Sequence, residues 1–417
     1  MEAQDARTIG ARARMVRRRR GLSLDVVAGL AGITKTYLSM LELGQRGFNR
    51  RGLLEDLADA LACSVADLTG QPYLLTPDRA TADALACLPA ISLALHDCTL
   101  EDVPDVPARP VAELARMAAQ ANVHCDQARY QLAGRDLGTV LTELQVHAVA
   151  GDLDTRRTAL VALVEACRVA FGVTKNLGHP EVAAHAARRG WDAARQHGDA
   201  DLIGFASWYR TVALMRVGAR HRASMTLASA IAELEPQIDP GAQSTLATES
   251  YGLLHLTSAL HAGRAGNAGA AADHLAEARR IADRTGERNT LLSHFGPANV
   301  TAWNLNVAVE LGNGPSAAER LHASGPVLDA LGSAERRAAL HMDLARGWAQ
   351  AEGAHDAEAI RHLDAADRIA PTRIRNDPIA RDLVVLLVRR ATRRVWELDS
   401  LRNRFGIGGQ GPRKVDS

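Results

Sequence analysis

Residues 22–46 read LSLDVVAGLAGITKTYLSMLELGQR, and this stretch decides the fold of the N-terminal part of the chain. Ser23 is a favourable N-cap for the helix that follows it. Ala28 stands where two crossing helices leave room only for a small side chain, and Gly32 stands where a turn needs a positive φ. Thr34 then caps a second helix. The order of these requirements predicts two short helices joined by a tight turn.

The sequence on either side predicts a compact five-helix unit around this pair. Apolar residues at helical spacing precede and follow it, and a last short helix closes the unit. The positions that pack the central pair are Val27, Ala31, Ile33, Leu38 and Leu41. The flanking apolar positions are Ile9, Ala13, Val16, Leu53, Leu54, Leu57, Leu61 and, in the last helix, 63–68.

The motif Tyr37-Leu38-Ser39, followed by Leu41-Glu42, Gly44 and Arg46, resembles the Xre family of lambda-repressor-like regulators across residues 7–70. That resemblance implies a sequence-specific DNA-binding transcription regulator whose second motif helix enters the major groove. It places base contacts at Lys35, Thr36, Ser39 and Met40. It places phosphate contacts at Arg17, Ser23, Tyr37, Arg46 and Arg50.

The charge of this segment agrees with a polyanionic partner. From Arg7 to Arg51 there are eleven arginine or lysine residues against two acidic residues, although the whole chain has a net charge of only +1. One departure from the family pattern is Leu24, where relatives commonly carry a glutamine that contacts phosphate. A degenerate domain that no longer binds DNA is therefore the alternative.

Composition predicts an all-α protein and excludes several functional classes. Aromatic residues make up only 4% of the chain and alanine and leucine dominate, which favours helix packing over β-sandwiches. No signal peptide or long apolar run is present, and the five cysteines lack CxxC spacing, so we expect a cytoplasmic protein without a membrane span. No catalytic motif stands out; we expect no enzymatic activity, no cofactor and no metal.

Four segments follow from the pattern of prolines, glycines and helical periodicity. They are a helix-turn-helix domain at 1–70, a linker with one helix (about Asp78–His96) at 71–112, a helical repeat domain at 113–405, and a disordered tail at 406–417. Breaks within the repeat domain fall roughly every 40–46 residues. They lie near Gly151-Asp152, Gly198-Asp199, Pro240-Gly241, Gly286-Glu287, Gly332-Ser333 and Pro371.

This spacing resembles tetratricopeptide-type (TPR) repeats, here with longer helices, from about Thr155 to Ile374. The resemblance implies helical hairpins stacked into a right-handed superhelix with a concave face. A helical bundle without superhelical stacking is the alternative. The linker helix and a single C-terminal helix, Asp382–Arg404, are both candidates for a dimer interface.

An Xre-type domain followed by helical repeats resembles peptide-responsive quorum-sensing regulators. The resemblance implies a homodimer that binds double-stranded DNA at a palindromic operator and a peptide or small-molecule effector on the repeats. Aromatic and polar side chains on the first helices are the candidate effector contacts: Trp208, Arg210, Tyr251, His255, Asn299, Trp303 and Asn306. Tryptophans that only fill gaps between helices, a protein-interaction scaffold tethered to DNA, and an antitoxin-like repressor remain as other interpretations.

Overall fold

The computed structural model describes residues 8–73, 78–97, 99–238, 246–323 and 327–407. Within those ranges the chain forms twenty-four α-helices and two short 3₁₀ helices, and it contains no β-strand. The all-α prediction is therefore confirmed. No single helix in the described part is long and apolar enough to cross a membrane, although one sharply bent pair of short helices near the N-terminus passes by length and composition.

The N-terminal unit consists of five helices, as the sequence predicts. They are α1 (Ile9–Arg19), α2 (Leu24–Leu30), α3 (Lys35–Glu42), α4 (Arg51–Ala60) and α5 (Val65–Thr69). Their apolar faces meet in one buried cluster, whose members include Val27, Leu38, Leu41, Leu54 and Leu57. This cluster is the core of the N-terminal unit. Each such side chain contributes about 1.5–3 kcal/mol to stability on burial.

Two helices, α6 (Arg79–Ala86) and α7 (Leu88–His96), follow where the sequence predicts a single linker helix. Cys87 separates the two helices, and Pro89 stands in the first turn of α7, where a missing N–H is tolerated. Ile91 and Leu95 are buried in the same cluster as apolar residues further along the chain. This segment is therefore the first part of the helical array and not a free linker.

The helical array continues with seventeen further helices. They are α8 (Val111–Asp126), α9 (Tyr130–Gly134), α10 (Leu137–Ala150), α11 (Leu153–Asn176), α12 (Pro180–His197), α13 (Ala200–Arg216), α14 (Arg220–Leu234), α15 (Leu246–Arg264), α16 (Ala268–Thr285), α17 (Pro297–Glu310), α18 (Gly314–Ala323), α19 (Val327–Ala330), α20 (Ala334–Ala349), α21 (Asp356–Ile369), α22 (Pro371–Arg375), α23 (Pro378–Arg390) and α24 (Trp396–Arg404). The 3₁₀ helices are Glu235–Gln237 and Thr290–Leu292.

Consecutive helices of the array pack in pairs: α11 with α12, α13 with α14, α15 with α16, α17 with α18 and α20 with α21. The first helices of these pairs also contact one another in chain order. Most of α15 is buried, whereas α16 buries mainly Ala271, Ala278, Ile281 and Ala282. The first helices therefore form an inner layer and the second helices an outer layer.

The inner layer curves until its two ends meet. Helix α8 contacts α20, and α11 contacts α22. The Ser333 hydroxyl donates a hydrogen bond of 3.2 Å to the carbonyl oxygen of Asp126. The Tyr130 hydroxyl donates to the carboxylate of Glu335. These contacts close the array around a central space.

Several predicted breaks coincide with the ends of helices. Helix α10 ends directly before Gly151, and α12 ends directly before Gly198. Asp152, Asp199 and Ser333 then act as N-caps, because each side chain accepts a hydrogen bond from a backbone N–H in the first turn of the next helix.

The stretch Asp382–Arg404 forms parts of two helices, α23 and α24, and not the one helix expected. The apolar face of α23 is buried within the array through Leu383, Val384 and Leu387, so that face is not an open dimer surface. The predicted break at Pro240-Gly241 and the tail beyond Ile407 lie outside the described residues.

Candidate functional site

Helices α2 and α3 have the geometry that the sequence predicts. Their axes are bent by 105° relative to each other, within the range for a helix-turn-helix pair. The Ser23 hydroxyl accepts a hydrogen bond from the N–H of Val26, and the Thr34 hydroxyl accepts one from the N–H of Tyr37, both at 3.2 Å. Gly32 has a φ of +65°. Both predicted N-caps and the predicted turn glycine are therefore confirmed.

The four residues predicted to contact bases lie on one accessible side of α3. Lys35 and Thr36 are exposed, whereas Ser39 and Met40 are half-buried. The Lys35 ammonium lies 2.8 Å from a carboxylate oxygen of Asp25, and both side chains are more than half exposed. Because an exposed ion pair contributes little free energy, Lys35 is free to exchange this partner for another acceptor.

The residues predicted to contact phosphates have different surroundings in the structure. The Arg17 guanidinium is engaged within the domain, because it donates to both carboxylate oxygens of Glu42 at 2.6 and 2.7 Å and to the carbonyl oxygen of Leu22. Ser23 acts as the N-cap of α2. Burial raises the pKa of Tyr37, and the positive charges of the nearby Arg50 and Arg46 oppose part of this rise, so these side chains lie close together.

Residues 8–69 match the family model of the helix-turn-helix domain. The N-terminal unit is a helix-turn-helix domain of the kind found in DNA-binding regulators. The match ends where the helical array begins. Neither the curated proteins nor the solved structures contain a match to the chain.

The helix-turn-helix domain docks onto the array through the N-terminal half of α4. The Arg51 guanidinium donates to Asp377 at 2.9 Å, and the N–H of Gly52 donates to the buried carboxylate of Glu310 at 3.1 Å. Glu55 accepts from Arg264 at 3.0 Å and from Arg220 at 3.1 Å. The positive end of the α4 dipole thus points at a buried carboxylate of α17, which favours the docked arrangement.

The loop between α3 and α4 also contacts the array. The N–H of Phe48 donates to Asp382 at 2.8 Å, and Arg346 donates to the carbonyl oxygen of Asn49 at 2.9 Å. Arg46, a predicted phosphate contact, forms an ion pair with Glu352 of the array. Burial raises the pKa of Asp382 to about 6. The loop that carries the predicted phosphate contact Arg46 therefore faces the helical array of the same chain.

A cavity of about 200 Å³ lies at the centre of the array. Its wall is formed mainly by the inner helices α11, α13, α15, α17 and α20. The helix-turn-helix domain contributes Arg51. The cavity therefore touches both parts of the protein.

Four of the seven predicted effector residues line this cavity: Trp208, Asn299, Trp303 and Asn306. Each carries one buried polar atom that has no hydrogen-bond partner. These atoms are Nε1 of the two tryptophans and Oδ1 of the two asparagines. Because buried polar atoms are nearly always paired in folded proteins, four such atoms in one cavity wall make it a candidate ligand site.

The other three predicted effector residues face the outer layer. Arg210 follows Trp208 by two residues, which is a rotation of about 200° around the helix axis, so the two side chains point to different sides. The Arg210 guanidinium lies 3.9 Å from the centre of the Trp191 ring on α12. Tyr251 and His255 share a helix face as expected, with ring centres 4.6 Å apart. His255 Nδ1 lies 3.0 Å from Nδ1 of His274 on α16. None of these three residues lines the cavity.

Sequence reasoning missed the cations in the cavity wall, which include Arg168, Lys175, Arg216 and Arg336. They are far apart along the chain, and the closure of the array brings them together. One signal was present in the sequence. Lys175 is one of only three lysines in the chain and stands one heptad after Arg168, on the same face of α11.

Proposed function

We propose that this protein is a DNA-binding transcription regulator that contacts base edges through α3 and binds an effector in the central cavity. The observation that carries this proposal is the reach of the helix-turn-helix domain into that cavity through Arg51. A ligand in the cavity is thereby in contact with the element that holds the DNA-binding domain in place.

Lys35 and Thr36 are the proposed direct readers, with Ser39 and Met40 one turn further on. Their support is their accessibility on one side of α3. Lys35 suits the guanine O6 and N7 acceptors, and Met40 suits a thymine methyl group. We assign Arg50, Tyr37 and, once freed from Glu352, Arg46 to phosphate contacts that orient the domain.

The docking contacts support regulation in which the helical array and DNA compete for the same loop of the helix-turn-helix domain. Arg46 and the loop at Phe48 and Asn49 contact the array, and the proposed phosphate contacts need part of this loop on DNA. An effector that loosens the Arg51–Asp377 pair shifts the domain towards its DNA-bound arrangement, because both arrangements use the same residues. We also propose that two copies of the chain bind a palindromic operator as a homodimer and that the protein acts in the cytoplasm.

The proposal is tested by genome-wide binding of the full-length protein in its source organism, compared with a Lys35→Ala, Thr36→Ala variant. We expect discrete sites near promoters that the variant loses. Equal, diffuse occupancy by both proteins would contradict sequence-specific regulation and would instead fit a DNA-tethered scaffold.

A further inference from the structure

The central cavity carries more positive than negative charge. Eight arginine or lysine side chains line it, against four aspartate or glutamate side chains. Some of the cations have close partners: Arg346 pairs with Glu310 at 2.6 Å, and Arg373 pairs with Glu335. These ion pairs neutralise part of the positive charge of the cavity wall.

Other cations in the wall lack such a partner. Among the described residues, no carboxylate lies within 4 Å of the charged groups of Arg168, Lys175 or Arg336. Arg216 reaches Asp377 only at 3.9 Å, and that carboxylate already accepts a 2.9 Å hydrogen bond from Arg51. The carboxylate of Glu335 attracts Arg168, Lys175 and Arg373 together, so these three cations share one anion and the wall holds more positive than negative charge.

Burial makes this surplus costly. Burial lowers the pKa of Lys175 to about 7 and that of Arg336 to about 10, and it lowers the pKa of Arg216 well below its usual value. A buried cation without a counterion loses hydration without gaining an equivalent interaction. An anion between these groups would offset that loss.

The unpaired polar atoms of the wall favour the same class of ligand. Four buried N–H groups have no acceptor: Nε1 of Trp208, Nε1 of Trp303, Nε of Arg264 and Nε of Arg336. Phosphate and carboxylate groups offer several acceptor oxygens and no donor when ionised, and arginine binds both with fork geometry. The Oδ1 atoms of Asn299 and Asn306 remain available for a hydroxyl or amine elsewhere on the ligand.

We propose that the cavity binds a small anionic molecule through a phosphate or carboxylate group, which Lys175, Arg216 and Arg336 hold together with the indole N–H groups of Trp208 and Trp303. This inference rests on the proposed function, in which the cavity is the effector site. The cavity volume of about 200 Å³ suits a metabolite-sized ligand and not a length of extended peptide. The anion also competes with Asp377 for Arg216, which alters the contact that holds Arg51.

The test uses the full-length protein, with inorganic pyrophosphate and citrate as probes and sodium chloride at matched ionic strength as the reference. Tm and tryptophan fluorescence are measured over probe concentrations up to about 10 mM, which covers millimolar binding. We expect a saturable rise in Tm with at least one probe, because a ligand that binds only the folded state stabilises it. A response to pyrophosphate alone assigns a phosphate ligand, and a response to citrate alone assigns a carboxylate ligand.

Two variants and a control locate the site. Lys175→Met and Arg336→Gln are expected to abolish the rise in Tm, whereas Arg157→Gln, an exposed position on the same helix as Lys175, retains it. Lys175→Met is expected to leave the Tm without probe unchanged or higher, because it removes a buried charge. Absence of a saturable response to both probes, or an equal response in all variants, would overturn the proposal.

A second arm separates this inference from the proposed function. The small-molecule extract of the source cells is divided on an anion exchanger, and both fractions are tested for a rise in Tm. A response to the retained fraction supports the anionic ligand. A response only to the unretained fraction overturns the anionic class but leaves an effector site, and no response to either fraction contradicts the effector site itself.

Discussion

Arg17 and Arg18 are neighbours on α1, yet their guanidinium groups have different surroundings. Arg17 is largely buried against Glu42, which is itself almost fully buried, whereas Arg18 is exposed. Loss of Arg17 leaves a carboxylate in the core of the helix-turn-helix domain without its partner. Arg17 therefore connects α1 to the C-terminal end of α3, and we expect this structural role in place of the predicted phosphate contact.

We predict that Arg17→Ala lowers the free energy of unfolding by about 1–3 kcal/mol, because it leaves the Glu42 carboxylate buried and unpaired. The matched variant Arg18→Ala changes it by less than about 0.5 kcal/mol. Urea denaturation of both variants measures the difference. Equal stability of the two, with DNA affinity lost only in Arg17→Ala, would restore the phosphate role.

Lys35 is predicted to discriminate between bases. Lys35→Ala should weaken binding to the preferred site by about 1–3 kcal/mol and relax the preference at one base position. Arg46→Ala should weaken binding to all sequences alike, because phosphates carry no base information. Gel-shift titrations on single-base variants of the site measure both effects. A uniform loss for Lys35→Ala would refute its role in base readout.

Asp382 gives the domain contact a dependence on pH. Its pKa lies near 6 in the folded protein, above the value of about 3.9 for an unfolded chain, because burial disfavours the charged form. The folded state thus binds this proton more tightly, so stability falls as pH rises from about 4 to 6 and the loss is complete above that range.

Asp382→Asn keeps an acceptor for the N–H of Phe48 but removes the buried charge. We predict that it is more stable than the native protein by about 1–3 kcal/mol at pH 7.5 and that this gain disappears near pH 4.5. Thermal unfolding at both pH values measures the difference. A destabilisation of equal size at both pH values would show that the charge contributes favourably to docking.

At the scale of elements, glycine permits the close approach of α4 to α15. A methyl group at Gly52 would lie 2.6 Å from the carbonyl oxygen of Arg264, which is too close for either backbone to accommodate. At Gly29, on the exposed side of α2, no atom lies within 4 Å of such a group. The two positions therefore separate a docking effect from the general effect of alanine on a helix.

We predict that Gly52→Ala detaches the helix-turn-helix domain from the array, whereas Gly29→Ala leaves it docked and raises Tm slightly through helix propensity. Limited proteolysis between residues 70 and 79 should become faster only in Gly52→Ala. DNA affinity should rise in the same variant if docking restrains the phosphate-binding loop. Unchanged proteolysis of Gly52→Ala would contradict the role of this contact.

The same scale explains what the sequence could predict. Ser23, Gly32 and Thr34 act within a few residues of their own positions, so their roles were readable without tertiary structure. Trp208 and Trp303 are predicted as effector contacts from their residue type, and both line the cavity. The cavity cations cannot be predicted in this way, because Lys175 and Arg336 line one cavity only after the array of helix pairs has closed. The docking contacts of Arg51 were invisible for the same reason.

At the scale of the whole molecule, closure of the array and docking of the N-terminal domain are connected. The first helices end near the helix-turn-helix domain, where Arg264, Glu310 and Arg346 form the surface that receives α4. Their other faces line the cavity, to which Arg51 also belongs. The cavity and the helix-turn-helix domain are therefore joined by direct contacts, and under the proposed function an effector would act through them.

We propose that α3 reads a specific DNA sequence. The most direct test is selection of bound fragments from a random-sequence DNA pool by the purified full-length protein, followed by footprinting of the enriched sequence. We predict one enriched motif with two half-sites about 10 base pairs apart, protected by the native protein and not by the Lys35→Ala, Thr36→Ala variant. Enrichment of no motif, with an affinity that falls equally with salt for every sequence, would contradict it.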